Sequence, residues 1–215
     1  MTYLELVNKV LIRLREDEVS SVNQTAYSKL IGEFVNDALR MVEDAWDWSA
    51  LRTTLTVTTT ANIFSYVLTG AGNRVKLLDI VNDTSNFFIT YRDPHWFNNA
   101  YLNTTPSSGS PQFFTFNGVD SNGDTQLDFY PKPNGVYNIR VNMILRSGNL
   151  VNNTDEVIIP TAPVIHMAVA LATRERGENG GSSTPELFAS ANNMLADAIA
   201  MDAGKHPEET VYMAV

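Results

Sequence analysis

The spacing of apolar residues changes twice along this chain, and each change limits what the fold can be. Leu4, Val7, Leu11 and Leu14, and later Leu30, Ile31, Phe34, Ala38, Leu39 and Val42, recur at helical intervals. From Leu51 the period falls to two, with Leu51, Thr53, Leu55, Val57 and Thr59 in alternation, and short extended runs follow as far as Leu145. After Pro160 the helical interval returns in Val164, Ala168, Leu171 and Ala172. A helix buries a stripe and a strand buries alternate residues, so the two patterns belong to different layers. The fold expected is α+β: N- and C-terminal helices packed as a helical bundle, with an inserted antiparallel β-sandwich or barrel-like lobe. The helical domain is assigned to 1–50 and 155–204, the β domain to 51–154, and an extended C-terminal tail to 205–215.

Local signals place the elements. Thr2 and Glu5 have capping-box spacing and open a helix over about 2–15. A longer helix begins near Thr25 and runs to Trp46. The expected strands are 63–68, 75–81, 87–91, 112–116, 126–130 and 137–145, separated by turn clusters such as Ser121-Asn122-Gly123-Asp124 and Asn134-Gly135. Asp93-Pro94 starts a short helix through Trp96 and Tyr101, followed by a polar loop. Thr184 is expected as the N-cap of a last helix, with Pro185 at its first position, and Gly204 and Pro207 stop that helix.

Composition removes whole classes of function. With 215 residues, 44% of them hydrophobic, the chain can bury one sizeable core or a core with a smaller lobe. It has no cysteine, which excludes disulfides, thiol nucleophiles and zinc ribbons and suits a reducing cytoplasm. No signal peptide pattern opens it and no run approaches a membrane span, so a soluble protein without membrane contact is expected. Fifteen Lys and Arg against 24 Asp and Glu give a net charge of −9, the wrong sign for tight binding to phosphates.

The candidate motifs for chemistry fail on spacing. The loop from Asp120 to Asp124 resembles the start of a calcium loop, but Thr125 stands where the sharp-turn glycine belongs and Pro131 where the bidentate glutamate belongs. It reads as a hairpin turn. His95, His166 and His206 are scattered, and Gly70 and Gly72 have no following helix or phosphate-binding lysine. Glu43, Asp44 and Asp47 read as solvated acids. No catalytic residue, cofactor site or metal site is therefore assigned, and no enzyme is expected. The aromatics Trp96, Phe97 and Tyr101 leave a rival reading open, a carbohydrate- or receptor-binding β module.

An ordered series of features points elsewhere. Trp46-Asp47-Trp48 with Leu51 leads into the threonine-rich run Thr53-Thr54-Leu55-Thr56-Val57; Tyr66-Val67-Leu68 and the strand Val75 to Ile80 follow. Pro111 to Phe116, then Leu127 to Tyr130 with Pro131-Lys132-Pro133, then Val136 to Leu145 complete the middle, and Ile159-Pro160 precedes an alanine-rich helix. In this order, over about Met1 to Gly204, the chain resembles the head-to-tail adaptor (connector) proteins of tailed bacteriophages, the group that includes tail tubular protein A. One departure is Leu68-Thr69, where the family has Leu-Pro.

The resemblance implies a structural virion protein at the head–tail junction, assembled in the bacterial host cytoplasm. It implies a homo-oligomeric ring, usually of twelve subunits, between the portal protein and a downstream tail or nozzle protein. DNA would pass through the lumen without specific binding. It also implies that the C-terminal segment reaches the portal, and the apolar residues Val211, Tyr212, Met213 and Val215 are the candidates for that contact. The aromatic helix and the loop after it, with Trp96, Phe97, Tyr101, Thr104 and Ser108, are the candidate subunit or tail interface.

Overall fold

The computed structural model describes residues 1–102, 105–177 and 183–205. The fold is α+β, as the two periods require. It divides into two compact units, one of Met1–Leu51 with the described chain from Ser147 onward, the other Arg52–Arg146.

The first unit is helical. Helix α1 (Tyr3–Arg13) starts at Thr2 with both bonds of the capping box: the Glu5 amide donates to the Thr2 hydroxyl and the Thr2 amide to the Glu5 carboxylate. Helix α2 (Ala26–Ala45) is capped by Thr25 in the same reciprocal way, with Ser28 in place of an acid. Helices α4 (Thr161–Arg176) and α5 (Thr184–Ala203) complete the bundle, α4 packing against α1, α2 and α5. Helix α4 buries nearly all of its residues from Pro163 to Thr173, the mark of a central helix. The N-cap of α5 is Ser183, one residue before the expected Thr184, and Pro185 follows at the second helical position. The amides of the first and second helical positions have no intrahelical acceptor, so proline is tolerated at either.

The stretch 147–157 belongs to this helical unit. The Tyr3 amide donates to the Asp155 carbonyl (2.8 Å) and the Val157 amide to that of Met1 (3.0 Å). Asn36, buried on α2, clamps Leu150 by both backbone groups, accepting from its amide at 2.8 Å and donating to its carbonyl at 3.1 Å. Such a two-ended amide meets the polar needs of Leu150, a buried backbone position in a mostly exposed stretch.

Among its described residues the second unit holds two four-stranded sheets and no closed barrel. After a 3-10 turn at Ser49–Leu51 come β1 (Arg52–Thr58), β2 (Ser65–Val67), β3 (Val75–Asn82), β4 (Phe87–Phe88) and β5 (Thr90–Tyr91). Helix α3 (Pro94–Leu102) precedes β6 (Ser108–Gly109), β7 (Phe113–Val119), β8 (Thr125–Tyr130), β9 (Lys132–Pro133) and β10 (Asn138–Leu145). The sheet orders are β1-β10-β3-β4 and β2-β8-β7-β5, with a small pair β6-β9. Two pairings depart from the antiparallel expectation: β5 with β7 and β6 with β9 are parallel. The run expected as one strand, 87–91, is split at Ile89, its first part pairing with β3 and its second with β7. One short segment thus ends both sheets.

The inward faces follow the period of two. Ile139, Val141 and Met143 of β10 meet Phe114 of β7 and Leu127 and Phe129 of β8, with Val57, Ile80 and Leu68 beside them. A bulge at Leu78 shifts the register of β3 against β10 between Asp79↔Asn142 and Leu77↔Met143. No helix among the described residues is long and apolar enough to cross a membrane.

Candidate functional site

The tryptophan motif forms a corner within the helical unit. Trp48 is fully buried and its indole donates to the Val42 carbonyl at 2.8 Å, capping the end of α2. The Trp46 indole donates to Asp202 of α5 at 3.1 Å. Asp202 also accepts from the Ser49 amide (2.9 Å), the Ser49 hydroxyl (2.5 Å) and Lys205 (3.0 Å). Burial works against ionisation of this carboxyl, and the bonds from Ser49, Lys205 and Trp46 outweigh it, holding its pKa well below the usual carboxylate range. Sequence reasoning misses Asp202, because nothing local ties it to a tryptophan 156 positions away.

Glu43 corrects an expectation. It is buried rather than solvated, and accepts from the Ser147 amide at 3.2 Å and from the Ser147 hydroxyl. Its place on α2, four positions after buried Leu39, puts it on the apolar stripe, a signal that the run of acids masks.

The candidate interface aromatics lie on α3 and its surroundings. Phe97 is buried in the β unit, and Trp96 stacks edge-on against Phe113 and Tyr130, with ring centroids 5.0 and 5.4 Å apart. The Tyr101 hydroxyl donates to the Phe129 carbonyl at 2.7 Å, and burial raises its pKa, with Asp128 and Tyr130 adding to the effect. These rings therefore fasten α3 to the sheet, so they are not laid out as a platform for a sugar. Ser108 is exposed; Thr104 lies outside the described residues, as do Val211, Tyr212, Met213, Val215 and His206.

The Asp120 loop is a turn. Asp120 accepts from the amides of Asn122 and Asp124, while the Asp124 carboxylate accepts from the Gly70 and Gly72 amides at 3.0 and 2.8 Å. Both glycines sit at positive φ, +82° and +61°, so the two turns are pinned to each other. Among the described residues no three His, Cys, Asp or Glu gather as metal ligands.

The open surface lies elsewhere on the β unit. A groove of about 690 Å³ runs along β3 and past the β4–β5 segment to β7, walled by Leu78, Phe88, Tyr91 and Phe116. Phe88 is 71% exposed, although its neighbour Ile89 is core. On the helical unit a more polar hollow of about 620 Å³ gathers Arg13, Arg15 and Arg176 around Glu16.

A family model of SU10 adaptor proteins matches residues 1–210, through both units. The chain belongs to the SU10 adaptor protein family. This is a family of bacteriophage adaptors, structural components of the virion rather than enzymes, and it agrees with the head-to-tail resemblance of the sequence. No curated protein matches the chain.

Proposed function

We propose that this SU10 adaptor forms a ring between the portal of the phage head and the tail, and that the ring lines part of the path of DNA ejection. The carrying observation is the family match through residues 1–210, which takes in the helical unit and the β unit together. The charge supports the channel: twelve copies carry twelve times the −9 of one chain, and an acidic lumen repels passing phosphates.

The C-terminal residues Val211, Tyr212, Met213 and Val215 are proposed as the portal anchor, since such an apolar end is poorly suited to remain in water. Portal mixed with the purified chain, seen by negative-stain electron microscopy, tests the ring. Rings seated on one end of the portal are expected; portal particles without added density would overturn the reading. A chain truncated after Gly204 tests the anchor, and undiminished portal binding by the folded truncation removes it.

A further inference from the structure

We infer that the β unit carries both halves of the subunit–subunit contact, an apolar groove at one edge of the sandwich and an apolar knob at the other. The inference rests on the ring reading and names the partner of that surface, a second copy of this chain.

The topology fixes the two edges. Strands β4 and β5 are joined through Ile89 alone, so the edges they form must coincide; β1 and β2 then form the opposite edge. The groove lies at the first edge. There β4 covers only Val81 and Asn82 of β3, and β5 covers only Phe113 and Phe114 of β7. From Val75 to Asp79 on β3, and from Phe116 onward on β7, no described strand pairs with the outer edge. Between these edges the groove opens over the packed core, and Leu78 (43% exposed), Phe88, Tyr91 (50%) and Phe116 (44%) stand at its mouth. Apolar side chains of this size in one concavity mark a contact rather than a solvated wall.

The knob lies at the other edge. The β1–β2 connection exposes Ile63 and Phe64, and the β9–β10 turn beside it exposes Val136 at 68%. Hydrogen bonds zip the two loops together: the Asn62 amide donates to the Pro133 carbonyl (2.8 Å), the Thr59 amide to the Tyr137 carbonyl (2.9 Å), and the Thr59 side-chain hydroxyl to the Gly135 carbonyl (3.0 Å). Phe64 is held from behind by Tyr101, with ring centroids 4.8 Å apart. The protrusion is therefore braced. Strand β1 behind it shows an outer edge without proline and with Arg52 as its only charge, little of the guarding that keeps an edge from pairing.

Two unlike surfaces at opposite edges are what a head-to-tail contact needs, because each copy must offer a receptor to one neighbour and an insert to the other. One self-complementary patch would give a closed dimer instead. The β unit thus has the polarity of a ring subunit.

The test uses two full-length variants, Phe88→Glu in the groove and Ile63→Glu with Val136→Glu on the knob, all at exposed positions and checked for fold by circular dichroism. Assembly is read by mass photometry with the portal present. Each variant alone should lose ring formation by about tenfold or more in association. Mixed together they should form a one-to-one pair that grows no further, since only one intact groove and one intact knob remain between them. Rings formed by either variant as well as by wild type overturn the contact, and so does a mixture that yields no pair. Wild type that stays monomeric beside the portal overturns the ring reading itself, and this contact with it.

Discussion

The helical unit and the β unit differ in where they place carboxylates and aromatic rings: the buried carboxylates among the described residues, Glu43 and Asp202, belong to the helices. In the helical unit polar groups go inside and are bonded there: Asn36 holds Leu150, Glu43 holds Ser147, and Asp202 gathers Trp46, Ser49 and Lys205. Among the described residues the exposed aromatic rings all belong to the β unit, Phe64, Phe88, Tyr91 and Phe116, with Ile63 and Val136 exposed beside them. Buried polar networks fix one arrangement, because every lost bond leaves an unsatisfied group in a low dielectric. Exposed apolar groups await a partner. The difference separates a frame that keeps its shape from a lobe prepared for contact.

The sharpest break of this contrast lies inside the β unit. Phe129→Ala, at a fully buried ring, should cost about 3–5 kcal/mol in denaturant unfolding, whereas Phe88→Ser should change the free subunit by no more than about 0.5 kcal/mol. A large loss at Phe88 would mean that the groove is part of the fold rather than a surface.

Asp202→Ala should cost about 2–3 kcal/mol at pH 7, since the Trp46 indole and both Ser49 donors lose their acceptor. The folded pKa of Asp202 lies below its unfolded value of about 4, so its contribution is complete above about pH 4 and is lost as pH falls toward the folded value. Urea titrations of wild type and Asp202→Asn should therefore differ at pH 7 and converge in acid. A gap that stays constant with pH would show that the ionised form is not what stabilises.

Gly32→Ala is smaller. Alanine normally gains about 0.5–1 kcal/mol over glycine within a helix, but a Cβ here would strike the Tyr3 hydroxyl and Val22. The expected result is a net loss of about 1 kcal/mol, and a rise in Tm would show that Tyr3 moves aside freely. The smallest effect belongs to Asp124→Asn on the surface of the β unit. Hydrogen exchange of the Gly70 and Gly72 amides should quicken while Tm stays nearly unchanged, and protection equal to wild type would show that the carboxylate does not pin that turn.

How far the sequence reveals this depends on the range of the cause. The capping box at Thr2, the α2 stripe and the alternation of β10 are local, and they locate the elements within a few residues. The split at Ile89 and the parallel pairs are not legible, since the sequence 87–91 reads as one extended run and only the two sheets decide that it serves both. Charge patterning misleads at Glu43, where neighbouring acids disguise a buried position. Aromatic content likewise hides its use: Phe97 and Tyr101 turn inward, whereas Phe88 and Phe116, which read as ordinary strand residues, form the exposed wall.

The Asp202 cluster also determines how force passes through the chain. Covalently, whatever holds the C-terminal segment pulls first on Lys205. Lys205 is bonded to Asp202, and Asp202 is bonded to the Ser49 turn from which the chain leaves the helices. Tension applied at the end of the chain is thus shunted across α5 to the Trp46–Ser49 corner, and the helix itself bears little of it. Charge-assisted bonds in parallel resist such a load together, so under pulling this corner should yield in one step rather than unravel turn by turn.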